Sequence, residues 1–201
     1  MSVAMQMPNT EKEMPLAEYL AQSAEIIRNS ISHVPATSME RAISLCVSAF
    51  KNGKTMLVCG NGGSASDAMH ITGELVGRFL KERTALRCVC LSDNPATLTA
   101  WANDYDYASV FSRQVEAFGG PGSVLLGIST SGNSQNVVQA AEKAKSMGMN
   151  VIGLTGQGGG KLAPFCDVLL DAPSKSTPLI QQVHICLYHY LCEMIEARMA
   201  G

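Results

Sequence analysis

The chain has 201 residues and a formal net charge of −2, and it is 46% hydrophobic, 16% charged and 5% aromatic. This length suits one α/β domain with a substantial core. The composition argues against a disordered chain, a strongly basic nucleic-acid surface and an aromatic platform for stacking bases. No apolar run approaches the roughly 20 residues of a membrane-spanning helix, and the polar N-terminus lacks the apolar stretch of a signal peptide.

The N-terminal part of the chain predicts a tail followed by two helices. We interpret residues 1–14 as a flexible tail and 15–201 as a single domain. Apolar residues recur at helical spacing over 16–32. The sequence Thr-Ser-Met-Glu at 37–40 resembles a capping box, and the helix that it opens is expected to end near Gly53.

From residue 55 onward, short apolar runs alternate with helical stretches. Runs that are apolar almost throughout are typical of strands covered on both faces. The alternation predicts an α/β fold, a three-layer, doubly wound sandwich with a five-stranded parallel sheet. The expected strands are 55–59, 86–91, 123–128, 150–155 and 167–170, and the expected later helices are 64–80, 95–118, 134–147 and 177–199.

The seven cysteines are an odd number and include no CxxC pair. This pattern predicts reduced and mostly buried thiols in a cytoplasmic protein, with a disulfide or metal role as the alternative.

Two loops that follow strands stand out, because ligands of such sheets bind beyond the carboxyl ends of the strands. The first, GNGGS at 60–64, leads into a helix whose free amides favour an anion. Gly60, Gly62 and Ala65 also fit a loose GxGxxA pattern, but the acidic partner of a dinucleotide site is not in place. We expect no nucleotide cofactor, and a purely structural turn is the other alternative.

The second loop, STSGNS at 129–134, places four hydroxyls around a glycine at a helix start. It contains no lysine and no GK[ST] motif, which argues against a nucleoside-triphosphate loop. Hydroxyl donors, backbone amides and the helix dipole suit a compact phosphate monoester. An ordinary serine-rich cap is the alternative.

A strand–GNGGS–helix unit followed by a strand–STSGNS–helix unit resembles the sugar isomerase (SIS) phosphosugar-binding family. The segments CGNGGSASDAMHITGELVGRF and TPLIQQVHICLYHYLCEMIE are similar to its phosphoheptose isomerase branch, and the similarity covers roughly residues 15–199. It implies an aldose–ketose isomerase that converts sedoheptulose 7-phosphate to D-glycero-D-manno-heptose 7-phosphate, the first step of ADP- or GDP-heptose synthesis. It also implies the substrate contacts: phosphate on Ser129, Thr130, Ser131 and Ser134, and the sugar on Asn61, Gly62, Gly63 and Ser64.

The helix after the first loop carries His70, Glu74 and Arg78, each four residues apart and so on one helical face. The spacing alone fits either a solvated row of charge or a stripe along the ligand cleft. The last helix adds Gln181 and His189, which are about 80° apart around the helix axis. Each of these polar residues could equally make a structural hydrogen bond.

The family resemblance gives these residues roles. It implies that Glu74 moves the proton between C1 and C2 and that His189 is the partner acid–base group. It implies one Zn²⁺ per subunit, held by His70, Glu74, Gln181 and His189, and substrate contacts from Glu74, Arg78 and Gln181. Asn103 and Asp104 also match the family pattern near the bound sugar, although Asp104 could instead cap a helix.

The resemblance further implies a homotetramer with active sites at subunit contacts, where His189 would face Glu74 of a neighbour. The main rival is a replication-initiator-binding protein of the same fold, which has serine and asparagine at the positions of Glu74 and His189. A phosphosugar sensor, or an isomerase of another sugar phosphate, is also open. We expect a small sugar phosphate as ligand, and neither nucleic acid nor membrane as partner.

Overall fold

The structure is a computed structural model that describes residues 14–200; the predicted tail, apart from Met14, lies outside the described residues. Five parallel strands form one sheet in the order β2-β1-β3-β4-β5. Every residue of β1 and β3 is buried, as expected for central strands that are covered on both faces. The strands are β1 Met56–Cys59, β2 Cys88–Cys90, β3 Val124–Ser129, β4 Asn150–Thr155 and β5 Val168–Asp171.

Seven α-helices of the described chain surround the sheet, and two of them precede it as predicted. A 3-10 helix, which the sequence did not reveal, covers Gly160–Phe165. The α-helices are α1 Leu16–His33, α2 Ala36–Lys51, α3 Gly63–Val76, α4 Pro95–Asp104, α5 Val110–Phe118, α6 Gln135–Ser146 and α7 Thr177–Met199.

The core lies in two layers, one on each face of the sheet. Side chains of α2, α3 and α7 pack against one face, where Met56 and Val58 of β1 point. Side chains of α5 and α6 pack against the other face, where Leu57 and Cys59 point. This alternation along β1 produces the predicted three-layer sandwich.

Three local expectations are wrong. The helix predicted over 95–118 is divided into α4 and α5 by residues 105–109. The helix predicted over 64–80 ends at Val76. The second helix begins at Ala36 with Pro35 at its N-cap, so the capping box at 37–40 lies inside it; proline at this boundary has φ fixed and starts the helix without a side-chain cap.

No helix in the stretch 14–200 has the length and apolar character that crossing a membrane requires.

Candidate active site

The loops after β1 and β3 meet at the point where the strand order reverses. The order 2-1-3-4-5 places this point between β1 and β3, where doubly wound sheets bind ligands. Asn61 of the first loop and Asn136 of α6 exchange two amide hydrogen bonds, each 2.9 Å. The Tyr107 hydroxyl donates to the same Asn61 oxygen at 3.0 Å. The two predicted loops therefore form one continuous rim.

Glycine is needed at two positions of the first loop. Gly62, the N-cap of α3, has φ of +55°, which residues with a Cβ rarely adopt. A Cβ on Gly60 would lie 2.6 Å from the carbonyl oxygen of Ser64. Ser64 itself is buried at the start of α3. The loop can thus turn sharply into α3, and its Asn61 and Gly62 carbonyls accept from the Ser64 and Ala65 amides at 3.0 Å.

The hydroxyls of the second loop converge as the sequence suggested. Ser129 ends β3, and its hydroxyl lies 2.9 Å from that of Ser134, the N-cap of α6. The Ser131 hydroxyl accepts from the backbone N–H of Asn133 at 3.1 Å. Thr130 is half-buried between them. Hydroxyls and the first amides of a helix are thereby grouped at one strand end, an arrangement suited to an anion.

The segment after β4 packs against the second loop and is hydrogen-bonded to it. The backbone N–H of Gly156 donates to the Thr130 carbonyl at 3.0 Å, and that of Leu162 donates to the Gly132 carbonyl at 2.9 Å. Gly132 has φ of +66°, and a Cβ there would collide with the carbonyl of Gly159. The close backbone packing fixes the position of the hydroxyls.

On α3 and α7, three predicted residues come together. His70 Nε2 lies 3.0 Å from Glu74 Oε1, and the ring centroids of His70 and His189 are 5.0 Å apart. One donor atom from each of the three lies within 4.8 Å of the others, so the group could hold a metal ion. The side chains of His70 and Glu74 are 45% and 21% exposed, which leaves them accessible to a ligand.

A single chain supplies this group. The expected contact of His189 with Glu74 of a neighbouring subunit stays a prediction, while α3 and α7 of one chain pack side by side and bring the two residues together.

The group has a buried support that the sequence did not reveal. The Tyr188 hydroxyl lies 3.0 Å from His70 Nδ1, and the Phe79 ring stacks on His189 at 5.7 Å. Asp67, the fifth residue of α3, is buried beside Tyr188. Burial raises the pKa of Asp67, and the neighbouring His70 and Tyr188 offset part of the increase.

Gln181, the fourth predicted metal ligand, lies against Gly63 rather than in this group. Its amide nitrogen fills the space that a Cβ on Gly63 would occupy. It precedes His189 by eight residues, about 12 Å along the axis of α7. Gln181 therefore joins the glycine loop to α7.

Arg78 does not continue the stripe of His70 and Glu74, because α3 ends at Val76. Its guanidinium pairs instead with Glu82 at 3.2 Å on the surface.

Asn103 and Asp104 end α4 and are hydrogen-bonded to each other at 2.9 Å. Asp104 lines a cavity of about 540 Å³ between β2, α4 and α5. That cavity lies on the face of the sheet opposite α3 and α7. The structure thus places Asp104 in a different helical layer from Glu74 and His189.

His184, on the same helix as His189, has a structural position. It is fully buried, and its Nε2 lies 2.9 Å from the Thr155 carbonyl. Burial lowers its pKa to about 4, although the bond to Thr155 opposes the change. A histidine that stays neutral and donates to a strand carbonyl anchors α7 on β4.

Comparisons with known proteins agree with this geometry. A family model described as the SIS domain matches residues 18–156. The phosphoheptose isomerase of Crocosphaera subtropica is 49% identical over 162 residues, which cover 81% of this chain and 83% of that protein. The phosphoheptose isomerase of Helicobacter pylori strain P12 is 46% identical over 183 residues, 91% of this chain and 94% of its own.

A solved structure of the phosphoheptose isomerase of Neisseria gonorrhoeae superposes with a TM-score of 0.85 at 40% identity, covering 90% of this chain and 97% of that one. Both the matched family model and these relatives extend over most of the chain. The chain therefore belongs to the SIS-domain family and, within it, to the phosphoheptose isomerases.

Proposed function

We propose that this protein isomerises sedoheptulose 7-phosphate to D-glycero-D-manno-heptose 7-phosphate through an enediol. The observation that carries the proposal is the meeting of Glu74 and His189 on α3 and α7, in a chain whose second loop groups hydroxyls at the switch point of the sheet. The names of the relatives, all phosphoheptose isomerases, supply the substrate class.

The second loop is the proposed phosphate site. Ser129 and Ser134 present two hydroxyls 2.9 Å apart at the N-terminus of α6. Thr130 and Ser131 extend the same loop. The helix dipole and the free amides of its first turn favour the dianion. With the phosphate held there, the carbonyl end of the sugar would extend along the rim that Asn61 and Gly63 form.

Glu74 and His189 are the proposed proton-transfer pair. A carboxylate takes the proton from one carbon and returns it to the next, while a second group moves a proton between the two oxygens. The 21% exposure of Glu74 allows it to reach the substrate. Phe79, stacked on His189, keeps the imidazole in one orientation.

His70, Glu74 and His189 fit a zinc ion. Gln181, about 12 Å from His189 along α7, is too far away to bind the same ion within one chain. The set offers nitrogen and oxygen donors, which zinc accepts in protein sites. The 3.0 Å between His70 Nε2 and Glu74 Oε1 is slightly shorter than the roughly 3.4 Å edge of a zinc tetrahedron with bonds near 2.1 Å. When bound, the ion would stabilise negative charge that develops on the enediol oxygens.

We also propose a homotetramer whose active sites lie near subunit contacts. The support is the outer face of α1, where Leu16, Leu20 and Ile31 are 73%, 56% and 82% exposed. An apolar stripe of this kind on a surface helix marks an interface.

All seven cysteines are free thiols, a state that fits a cytoplasmic location.

The decisive experiment follows sedoheptulose 7-phosphate and the purified protein by NMR in D₂O. We expect the aldose 7-phosphate to appear with deuterium at C2, because a carboxylate base can exchange its proton before returning it. Glu74→Gln keeps the shape but removes the base, and it should lower turnover at least about 10²-fold. Glu142→Gln, an exposed change on α6, is the matched control and should leave turnover unchanged.

A phosphosugar receptor is the alternative outcome. Such a protein would bind the sugar phosphate but leave its carbon-bound protons unexchanged in both wild type and Glu74→Gln. Wild-type protein that shows neither product nor deuterium incorporation would refute the isomerase assignment while leaving the phosphate site intact.

A further inference from the structure

The Tyr188 hydroxyl lies between a proposed metal ligand and a buried acid. Its oxygen is 3.0 Å from His70 Nδ1, and it is also the side-chain donor that faces Asp67. The Asp67 Oδ2 atom is buried and has no hydrogen-bond partner among the described residues as the side chains stand. The sequence suggested no role for either Tyr188 or Asp67.

Packing holds all of these groups in place. Tyr188 is 2% exposed and Asp67 is 8% exposed. The Tyr188 ring meets His70 at a centroid distance of 5.4 Å and His189 at 4.9 Å, edge to face in both cases. A buried carboxyl is costly unless a donor compensates it. The Tyr188 hydroxyl is in the position to compensate it.

The protons can be assigned by counting donors. A phenol has one proton, and a carboxylate can only accept. If the Tyr188 proton goes to Asp67, the phenol oxygen is left to accept from His70 Nδ1–H. The lone pair of His70 then lies on Nε2, 3.0 Å from Glu74 Oε1. A lone pair facing a carboxylate oxygen needs a cation next to both.

We propose that Tyr188 and Asp67 are positioning residues that keep the His70 proton on Nδ1 and leave Nε2 free for the metal ion. The inference rests on the metal site proposed above. Histidine ligands commonly donate their second ring N–H to an oxygen that fixes the tautomer and ring orientation, and loss of such a partner costs about 10–100-fold in metal affinity. Here the oxygen is a tyrosine hydroxyl that is itself oriented by a carboxylate.

The test measures zinc affinity by chelator competition in the full chain. Tyr188→Phe retains the ring and removes only the hydroxyl, so we expect zinc to bind about 10–100-fold more weakly. Asp67→Asn should weaken it as much, because the new amide can donate to the phenol and turn its proton toward Nδ1. Tyr190→Phe, the same change at a half-exposed site on α7, is the control and should match wild type.

Long-range ¹H–¹⁵N spectra of the zinc-loaded protein give a readout that a merely structural role would not change. Wild type should show a His70 Nδ1–H resonance that resists solvent exchange, and Tyr188→Phe should show fast exchange there. If Tyr188→Phe fails to fold, the same two measurements on Asp67→Asn decide.

The outcomes separate this inference from the proposed function. Wild type that binds zinc, with both variants within twofold of it, would overturn the inference alone. Wild type that binds no zinc would overturn the metal site and this inference together, and the deuterium experiment would still decide whether the protein is an isomerase.

Discussion

Replacing Glu196 with glutamine should destabilise the protein more than any comparable change at its surface. The Glu196 carboxylate accepts three backbone N–H groups in a row, from Phe79 at 2.8 Å, Leu80 at 2.6 Å and Lys81 at 2.8 Å. It also lies 3.4 Å from Arg83 Nε, and both side chains are 1% exposed. Through these contacts the last turns of α7 hold the segment that follows α3.

The size of the effect follows from burial. Removing one partner of a buried ion pair leaves the other charge uncompensated and costs about 3–5 kcal/mol. Glutamine retains one oxygen that can accept from part of the amide row, but its NH₂ group faces the remaining N–H groups. We therefore expect Glu196→Gln to lower the free energy of unfolding by about 3–5 kcal/mol. Phe79 moves with this segment, so turnover that depends on His189 should fall as well.

Urea denaturation at a fixed protein concentration measures the change, since subunit association would make the midpoint concentration-dependent. Glu40→Gln is the matched control, because Glu40 forms an exposed pair with Arg198 at 2.7 Å and exposed pairs add little. Equal denaturation midpoints for Glu196→Gln and Glu40→Gln would show that the buried carboxylate does not hold the segment.

The same residue predicts a pH effect. Burial raises the pKa of Glu196, but three amides and Arg83 outweigh it and hold the pKa below its usual 4.5. The stability that ionised Glu196 contributes to the folded protein is therefore fully present above pH 4.5, and it is lost as the pH falls through the folded-state pKa. The Glu196→Gln variant should show a flatter decline of stability in acid than wild type.

Two further predictions concern α3 and α7. Gly63→Ala should displace the Gln181 amide and lower kcat/KM through the proposed sugar contact of Gln181. The melting temperature should stay unchanged or rise, because alanine is the better helix former. Gly73→Ala, with nothing within 4 Å of the new Cβ, is the control in the same helix, and equal kcat/KM values for the two variants would contradict the contact. Burial holds the pKa of His184 near 4, below its usual 6.5. As the pH is lowered, this histidine therefore takes up its proton in the unfolded chain before it does so in the folded chain, and the stability should fall as the pH drops from 6.5 to about 4. His184→Asn, which can still donate to Thr155, should be flatter over that range in a pH series of thermal melts, and an unchanged slope would contradict the assignment.

The sequence was sufficient to predict the sheet and its ligand edge. Strands such as 123–128 are apolar almost throughout, and in a small domain such a run is best accommodated as a sheet strand that is covered on both faces. Glycines and hydroxyls directly after two such strands then had to lie at the same edge, because parallel strands end together. The structure joins these loops through Asn61 and Asn136, a contact that periodicity cannot reveal.

The end of α3 shows why a helix boundary near the site was not predictable from the sequence. The spacing of His70, Glu74 and Arg78 fits one helical face, and Phe79 and Leu80 continue the apolar pattern. The helix nevertheless ends at Val76, because the amides of the next residues donate to Glu196, more than 100 positions later in the chain. A helix boundary set by a distant carboxylate leaves no mark in the local sequence.

Helix α7 carries His189 of the proposed metal-binding group and also two buried polar contacts that hold the fold together. His184 fixes one side of it to β4, and Glu196 fixes its far end to the segment after α3. His189 lies between these two anchors, five residues after the first and seven before the second. A shift of the helix by one residue would rotate His189 by about 100° away from His70. Both buried anchors would have to break for that shift to occur, so the geometry of the proposed catalytic pair is a consequence of polar contacts that lie outside the site.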